Sequence, residues 1–277
     1  MARAYGGKVT GTSSSAEGVA RLRAAGFEAL LYDGRRPGEG IAAALAEATH
    51  ILVSPAPDAD GCPVLRWHRN DILAAPALRW IGYLSTVGVY GDHGGAWIDE
   101  TAELKPVSER SRRRVLAEGQ WLELQARLPR AQIQMFRLAG IYGPGRSVVD
   151  DLAEGTARRI VKPGQVFNRI HVDDIARVVA AAMSGRGKSS VYNVTDDEPA
   201  PPQDVVAFAA GLMGVAVPPE IPIEAAGLSP MGLSFYGECK RVSNARIRAE
   251  LVPALGYPTY REGMAALVAA AGASRTT

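Results

Sequence analysis

Cysteine is scarce in this chain. Cys62 and Cys239 are the two present among 277 residues, and they show neither metal-site spacing nor a disulfide framework. A reduced, cytoplasmic setting with ordinary thiols is the expectation. Histidine is equally thin: His50, His68, His93 and His171 are scattered, so no metal site is expected. No apolar run approaches the roughly 20 residues that span a bilayer. The opening MARAYGGKVTG lacks the apolar stretch of a secretion signal. Neither sign of charge dominates, with 31 basic against 29 acidic residues and a net charge of +2. That balance argues against a nucleic-acid partner and against an anionic membrane surface. Internal repeats and low-complexity linkers are also missing.

What is present is alternation. Short β-branched or apolar runs alternate with helical patterns, the signature of βαβ units and a parallel sheet. KVTGT (8–12), FEALLYD (27–33), HILVSPA (50–56) and LRWIGYLST (78–86) read as strands. The latter two are continuous and apolar, as strands buried on both faces should be. Between them lie helical patterns, the first with Ser14 and Glu17 at capping-box spacing. AQIQMFRLAGIYG (131–143) reads as a strand running into a loop, VDDIARVVAAAM (172–183) as a helix and SVYNVTD (190–196) as a late strand. Thr259 and Glu262 make a second capping box before the last helix. The chain is therefore α/β, a doubly wound parallel sheet with a small lobe from about residue 144 onward.

One stretch stands out: RSRRR (110–114), inside PVSERSRRRVLAEGQ. It opens a helix expected over 108–128, whose apolar stripe is Ala117, Trp121, Leu124 and Leu128, widened by Val115 and Leu122. So broad a face suits the sheet and a second copy in a homodimer; burial within one chain explains it equally well.

Four stretches in register, LSTVGVYGD (84–92), FRLAGIYGPGR (136–146), FNRIHVDDIA (167–176) and VYNVTDDEP (191–199), resemble the extended short-chain dehydrogenase/reductase superfamily. Within it, the chain is most similar to the atypical branch of NAD-dependent epimerase/dehydratase-like proteins. The final KRVSNARIRAEL and YPTYREGM fit the same ending. The resemblance implies a Rossmann-like fold, with NAD or NADP across the carboxyl ends of the strands. It implies a small-molecule substrate under a C-terminal lobe. Residues 1–143 would then hold the cofactor and 144–277 mainly the substrate, with 172–196 returning to the core.

Two family features are missing. No glycine-rich GxGxxG turn, which would cradle the pyrophosphate, precedes KVTGT. KVTGT thus corresponds to the family's second strand and MARAY to the tail of its first helix, so the chain is expected to begin about two dozen residues late. KVTGT is expected to be an edge strand or to shift toward the strand at 50–56. The family's catalytic tyrosine and lysine are absent too. Counting back from Ala117-Glu118 places Arg114 in the lysine seat and Arg110 in the tyrosine seat. Arginine stays protonated at any working pH and cannot serve as acid/base. Arg114 retains the charge needed to bind ribose or phosphate. Arg112 and Arg113 read as solvent-facing.

The other candidates follow from the resemblance. Thr86, with Ser85 beside it, stands where a hydroxyl orients substrate. Thr12, Ser13, Asp33, Ser54, Pro55 and Ala56 end strands at the cofactor wall. Ala139, Gly140 and Ile141 should pass near the nicotinamide, and Arg146, Arg169 and His171 fall in the substrate lobe. Tyr90, Tyr142 and Tyr236 are the tyrosines that could replace the lost acid. The implied function is an NAD(P)-dependent oxidoreductase or epimerase/dehydratase-like enzyme with an atypical site, on a substrate that is phosphorylated or nucleotide-linked. The alternative is a catalytically silent dinucleotide-binding sensor.

Overall fold

Apolar β-branched runs and amphipathic runs alternate, and the structure turns that pattern into strands and helices. The computed structural model describes residues 7–273; the MARAY stretch, expected to end a helix, lies outside them. The chain runs β1 (Thr10–Ser13), α1 (Ala16–Ala24), β2 (Glu28–Leu31), α2 (Ile41–Glu47), β3 (His50–Val53), α3 (Pro63–Ala74), β4 (Trp80–Thr86), β5 (Trp97–Ile98), α4 (Glu109–Arg127), β6 (Gln132–Leu138), β7 (Gly140–Tyr142) and α5 (Val148–Ala153). It continues with β8 (Arg159–Val161), β9 (Arg169–His171), α6 (Val172–Met183), β10 (Val191–Val194), α7 (Pro202–Met213), β11 (Glu220–Pro222), α8 (Pro230–Tyr236), β12 (Arg241–Val242), α9 (Ala245–Glu250) and α10 (Tyr260–Ala273). It divides into two compact units. The first takes the chain up to Ser85, then Glu109–Phe136 and Ser189–Val191; the second takes Thr86–Ser108, Arg137–Lys188 and Tyr192 onward.

The first unit carries the parallel sheet. β3 pairs with β4 in parallel, His50 opposite Trp80 and Val53 opposite Tyr83. They belong to a four-stranded sheet in the order β10-β6-β4-β3, whose strands β4, β6 and β10 run on into the second unit's sequence. α4 buries Ala117, Trp121 and Leu124, with Leu128 just beyond it, against Ile81, Tyr83, Ile133 and Met135. This is the predicted stripe, and each large side chain so buried contributes roughly 1.5–3 kcal/mol. Val115 is half-buried and Leu122 is exposed. One buried polar pair is satisfied inside this core: the Trp80 indole donates to Gln134 Oε1 at 2.7 Å.

β1 forms a separate two-stranded parallel ladder with β2, from Thr10 opposite Glu28 to Ser13 opposite Leu31. It does not join β3, so the parallel sheet is in two parts. The cap of α1 also sits one residue later than predicted. Ser15, not Ser14, accepts the Gly18 amide at 3.1 Å, since Ser15 has the extended backbone that an N-cap requires. The Thr259–Glu262 capping box forms as expected.

The second unit is built from short parallel ladders: β7 with β9, β8 with β11, and β5 with β12. Tyr142, Val149, Ala209, Tyr260 and Met264 share one of its cores. The Pro/Gly-rich region after 214 contains β11 and the short helix α8. Gly214 closes α7 at φ +65°, a left-handed position that favours glycine.

Candidate functional site

In the first unit the end of β4 meets α4. Arg114 Nη1 donates to the Leu84 carbonyl at 2.7 Å and to the Tyr83 hydroxyl at 3.1 Å. Its guanidinium stands 5.5 Å from the Tyr83 ring centroid. One turn further along the helix, Glu118 Oε1 accepts the Ser85 hydroxyl at 2.5 Å, with Ser85 only 4% and Glu118 only 2% exposed. Two sequence candidates, Ser85 and Arg114, are thereby brought to one strand end. Glu118 and Tyr83 were missed; Ala117-Glu118 served only for counting, although its spacing from Arg114 puts both side chains on one helix face. Burial pushes the Tyr83 phenol far up, against the opposing pull of Arg114, so Tyr83 stays protonated near neutrality. Arg114 Nε is buried and meets no hydrogen-bond partner among the described residues.

The rest of the arginine run divides as its positions suggest. Arg112 and Arg113 each pair with Glu109 at 3.1 Å in the open. Arg110 is exposed on the first turn.

The first-unit cofactor candidates stand at the carboxyl ends of β1, β2 and β3. Thr12 is exposed, and the Ser13 carbonyl accepts the Tyr32 amide at 2.8 Å. Asp33 is exposed and accepts the Arg35 amide at 2.9 Å, a local turn. Ser54 and Ala56 are exposed and Pro55 is half-buried, just past β3.

In the second unit, β7 and β9 set two groups of candidates side by side. Gly140 lies opposite Arg169, Ile141 opposite Ile170 and Tyr142 opposite His171. Ala139 is buried just before β7, while Gly140 is exposed at its start. A Cβ on Gly140 would come within 3.1 Å of the Asn168 carbonyl, which accounts for a glycine here on packing grounds. Arg169 donates to the Phe167 and Ala200 carbonyls at 3.0 and 3.1 Å. Burial works against its charge, while Asp196 supports it. His171 is buried and caps α6, its Nδ1 accepting the Asp173 amide at 3.2 Å. Its ring lies 3.9 Å from that of Tyr257 and meets Tyr142 edge-on at 5.2 Å. Arg146 is exposed in the turn after β7. Thr86 accepts the Gly88 amide at 3.2 Å and caps a 3-10 turn over Val87–Tyr90.

Sequence reasoning did not single out Asp196, although it lies in the quoted VYNVTDDEP. It is 1% exposed, its Oδ2 meets no hydrogen-bond partner among the described residues, and burial pushes its carboxyl up to about 8. The tyrosines that could replace the lost acid are all buried. Tyr90 is fully buried, donates to Asn193 at 2.7 Å and accepts from Arg137 at 2.9 Å. Burial pushes Tyr90, Tyr142 and Tyr236 all upward. Among the described residues no group of three or more His, Cys, Asp or Glu could hold a metal. No helix among them is long and apolar enough to cross a membrane.

No family model matches the chain. It is 28% identical over 143 residues to a 3-diazoavenalumate denitrifying reductase of Streptomyces sp., matching 47% of this chain and 45% of that one, so it spans under half of that relative's length. A structure of a functionally unknown conserved protein from Silicibacter pomeroyi DSS is 49% identical, covering 97% of this chain and 92% of that one with a TM-score of 0.85. A putative NAD-dependent epimerase/dehydratase from Methylobacillus flagellatus is 25% identical, covering 96% and 98% with a TM-score of 0.64. With the parallel α/β architecture and the four motifs in register, these likenesses place the chain in the extended short-chain dehydrogenase/reductase superfamily.

Proposed function

We propose that the chain is an NAD(P)-dependent oxidoreductase or epimerase/dehydratase-like enzyme that works without the family's tyrosine. The observation that carries this is Arg114, held by the Leu84 carbonyl and the Tyr83 hydroxyl at the end of β4. The residues fit a dinucleotide there. Arg114 supplies a charge that no working pH removes. Thr12, Ser13, Asp33, Ser54, Pro55 and Ala56 offer hydroxyls, a carboxylate and small side chains at strand ends for the adenosine half. The nicotinamide would supply hydride transfer when bound. Ser85, with Glu118 as its acceptor, holds a proton in a fixed place, and the second unit takes the substrate with Arg146, Arg169 and His171. Arg110 adds positive charge at the helix start and transfers no proton. In this reading Thr86 orients the substrate hydroxyl, and Ala139, Gly140 and Ile141 lie near the nicotinamide. A homodimer through α4 would use its exposed Leu116 and Leu122.

The test is a titration of the protein with NADH and NADPH, read by energy transfer from its tryptophans. Micromolar binding of either cofactor, lost at least tenfold in Arg114→Ala, is the expected outcome. Equal affinity in wild type and variant would remove Arg114 from the site, and no binding of either cofactor would end the reading.

A further inference from the structure

The second unit holds a cavity that the cofactor and substrate groups do not use. It measures about 360 Å³ and is lined by Trp97, Ile98, Asp99, Thr101, Ala102 and Ser243. That volume is at the small end of ligand pockets. The site stands on the β5–β12 ladder, where Trp97 lies opposite Arg241 and Ile98 opposite Val242. Just past that ladder the Ser243 amide donates to the Ile98 carbonyl at 2.8 Å, which ties one side of the cavity to the other.

Trp97 is the outlier among the tryptophans. It is 60% exposed, against 38% for Trp67, 3% for Trp80 and 0% for Trp121. A large aromatic face left in water on a paired strand is a ready contact surface. Two residues along, exposed Asp99 is held in one orientation. Its Oδ1 accepts both the Thr101 amide at 2.8 Å and the Thr101 hydroxyl at 2.5 Å. Those bonds keep the carboxyl below the usual carboxylate range, so it remains an acceptor. Ser243 Oγ accepts the Ala245 amide at 3.3 Å, and a hydroxyl that accepts keeps its own hydrogen to donate.

These groups select a ligand by their chemistry. An indole takes the apolar face of a ring, and a carboxylate with hydroxyls beside it takes hydroxyl groups. The carboxylate is the one charged side chain in the lining, and it disfavours an anion. Quaternary ammonium groups sit in cages of several aromatic rings, whereas a single ring lines this cavity. We propose that the cavity binds a neutral, hydroxyl-rich ring of monosaccharide size, with one apolar face on the Trp97 indole and its hydroxyls on Asp99 and Ser243. The site shares no residue with the cofactor and substrate groups, so sugar binding and cofactor binding are separate measurements.

Nitrogen-edited NMR of the whole protein reports the site through the Trp97 indole N–H, assigned by its loss in Trp97→Phe. The probes are glucose, galactose, N-acetylglucosamine and maltose. At least one should shift that signal, with a dissociation constant on the order of a millimolar. Saturation-transfer spectra of the sugar follow binding in variants that lack the indole. Trp97→Ala and Asp99→Asn should each weaken it roughly tenfold or more, and Trp97→Phe, which keeps an aromatic face, should weaken it less. A Trp97 signal that ignores all four sugars overturns the proposal, and so does equal binding in wild type and Trp97→Ala. A shift by tetramethylammonium and by none of the sugars overturns it too, in favour of a cation site. If a variant does not fold, the wild-type indole signal still decides.

Discussion

At the end of β4 the first unit holds Glu118 against a serine hydroxyl and Arg114 against a carbonyl and a phenol. Around β9 the second unit instead holds Asp196 and Tyr142, each with a buried oxygen that meets no hydrogen-bond partner among the described residues. Both places hold buried carboxyl groups, Glu118 in the first and Asp196 in the second. In the first, the charges are tied by bonds of good geometry, and the cation is one that never titrates. In the second, burial dominates and the carboxyl is shifted into the neutral range. The same fold thus carries one cluster held by specific bonds and another whose carboxyl is shifted by burial.

The largest expected effect separates the two. The Asp196 carboxyl has a pKa of about 8 when folded, against 3.8 as its ordinary value. The unfolded chain therefore releases this proton first as pH rises. Stability from this group is fully present below about pH 4, falls between pH 4 and 8, and is flat above. At about 1.4 kcal/mol per unit, the fall is on the order of 5 kcal/mol. Denaturant unfolding across that range should show it, and Asp196→Asn should flatten the curve and stabilise the protein at pH 9. A wild-type curve already flat from pH 5 to 9 would show that Asp196 is solvated or better paired.

Next comes Glu118→Gln, aimed at the first cluster. It keeps the shape but replaces a charge-assisted bond to Ser85, with an expected loss of about 1.5–3 kcal/mol in unfolding free energy. Gly263→Ala probes the second cluster by packing alone. A Cβ at position 263 would stand 2.0 Å from the Tyr142 hydroxyl, so α10 or the ring must shift, at roughly 1–3 kcal/mol. A neutral Gly263→Ala would mean that Tyr142 is free to move, and the second cluster would then be looser than it is drawn here.

Much of this was legible in the residues. The stripe Ala117, Trp121, Leu124 and Leu128 is buried as its spacing requires, because a period of 3.6 allows one inward face. The helix at 172–183 begins and ends where its acidic start and apolar face place it. The candidate residues could be placed from the sequence, but not their contacts. Counting from Ala117-Glu118 found Arg114, but no one-dimensional pattern shows that Tyr83 and Leu84 would grip it, since that contact depends on how β4 and α4 pack. Asp196 was passed over for a similar reason. Its neighbours Asp197 and Glu198 make ordinary ion pairs with Arg248 and Arg261, and only the packed structure shows which of the three carboxylates turns inward. The cap of α1 slipped by one residue because three consecutive serines offer the same chemistry, and backbone angles choose among them.

The smallest expected effect concerns the arginines that first drew attention. Arg112 and Arg113 share Glu109 on an exposed helix start, and solvent screening leaves such pairs worth roughly 0–1 kcal/mol. Arg112→Ala and Arg113→Ala should therefore change stability by less than about 0.5 kcal/mol each, and should leave NADH and NADPH affinity unaltered, whereas Arg114→Ala should weaken it at least tenfold. Four arginines in five positions would then split by partner, not by proximity in the chain. A carbonyl and a phenol hold Arg114 at a strand end, while Arg112 and Arg113 both pair with Glu109. If all three variants weakened the cofactor alike, the run would be acting as a diffuse positive field, and raising the salt concentration should then abolish the differences between wild type and variants, because a field of exposed charges is screened within about 10 Å at 0.1 M salt and a buried hydrogen bond is not.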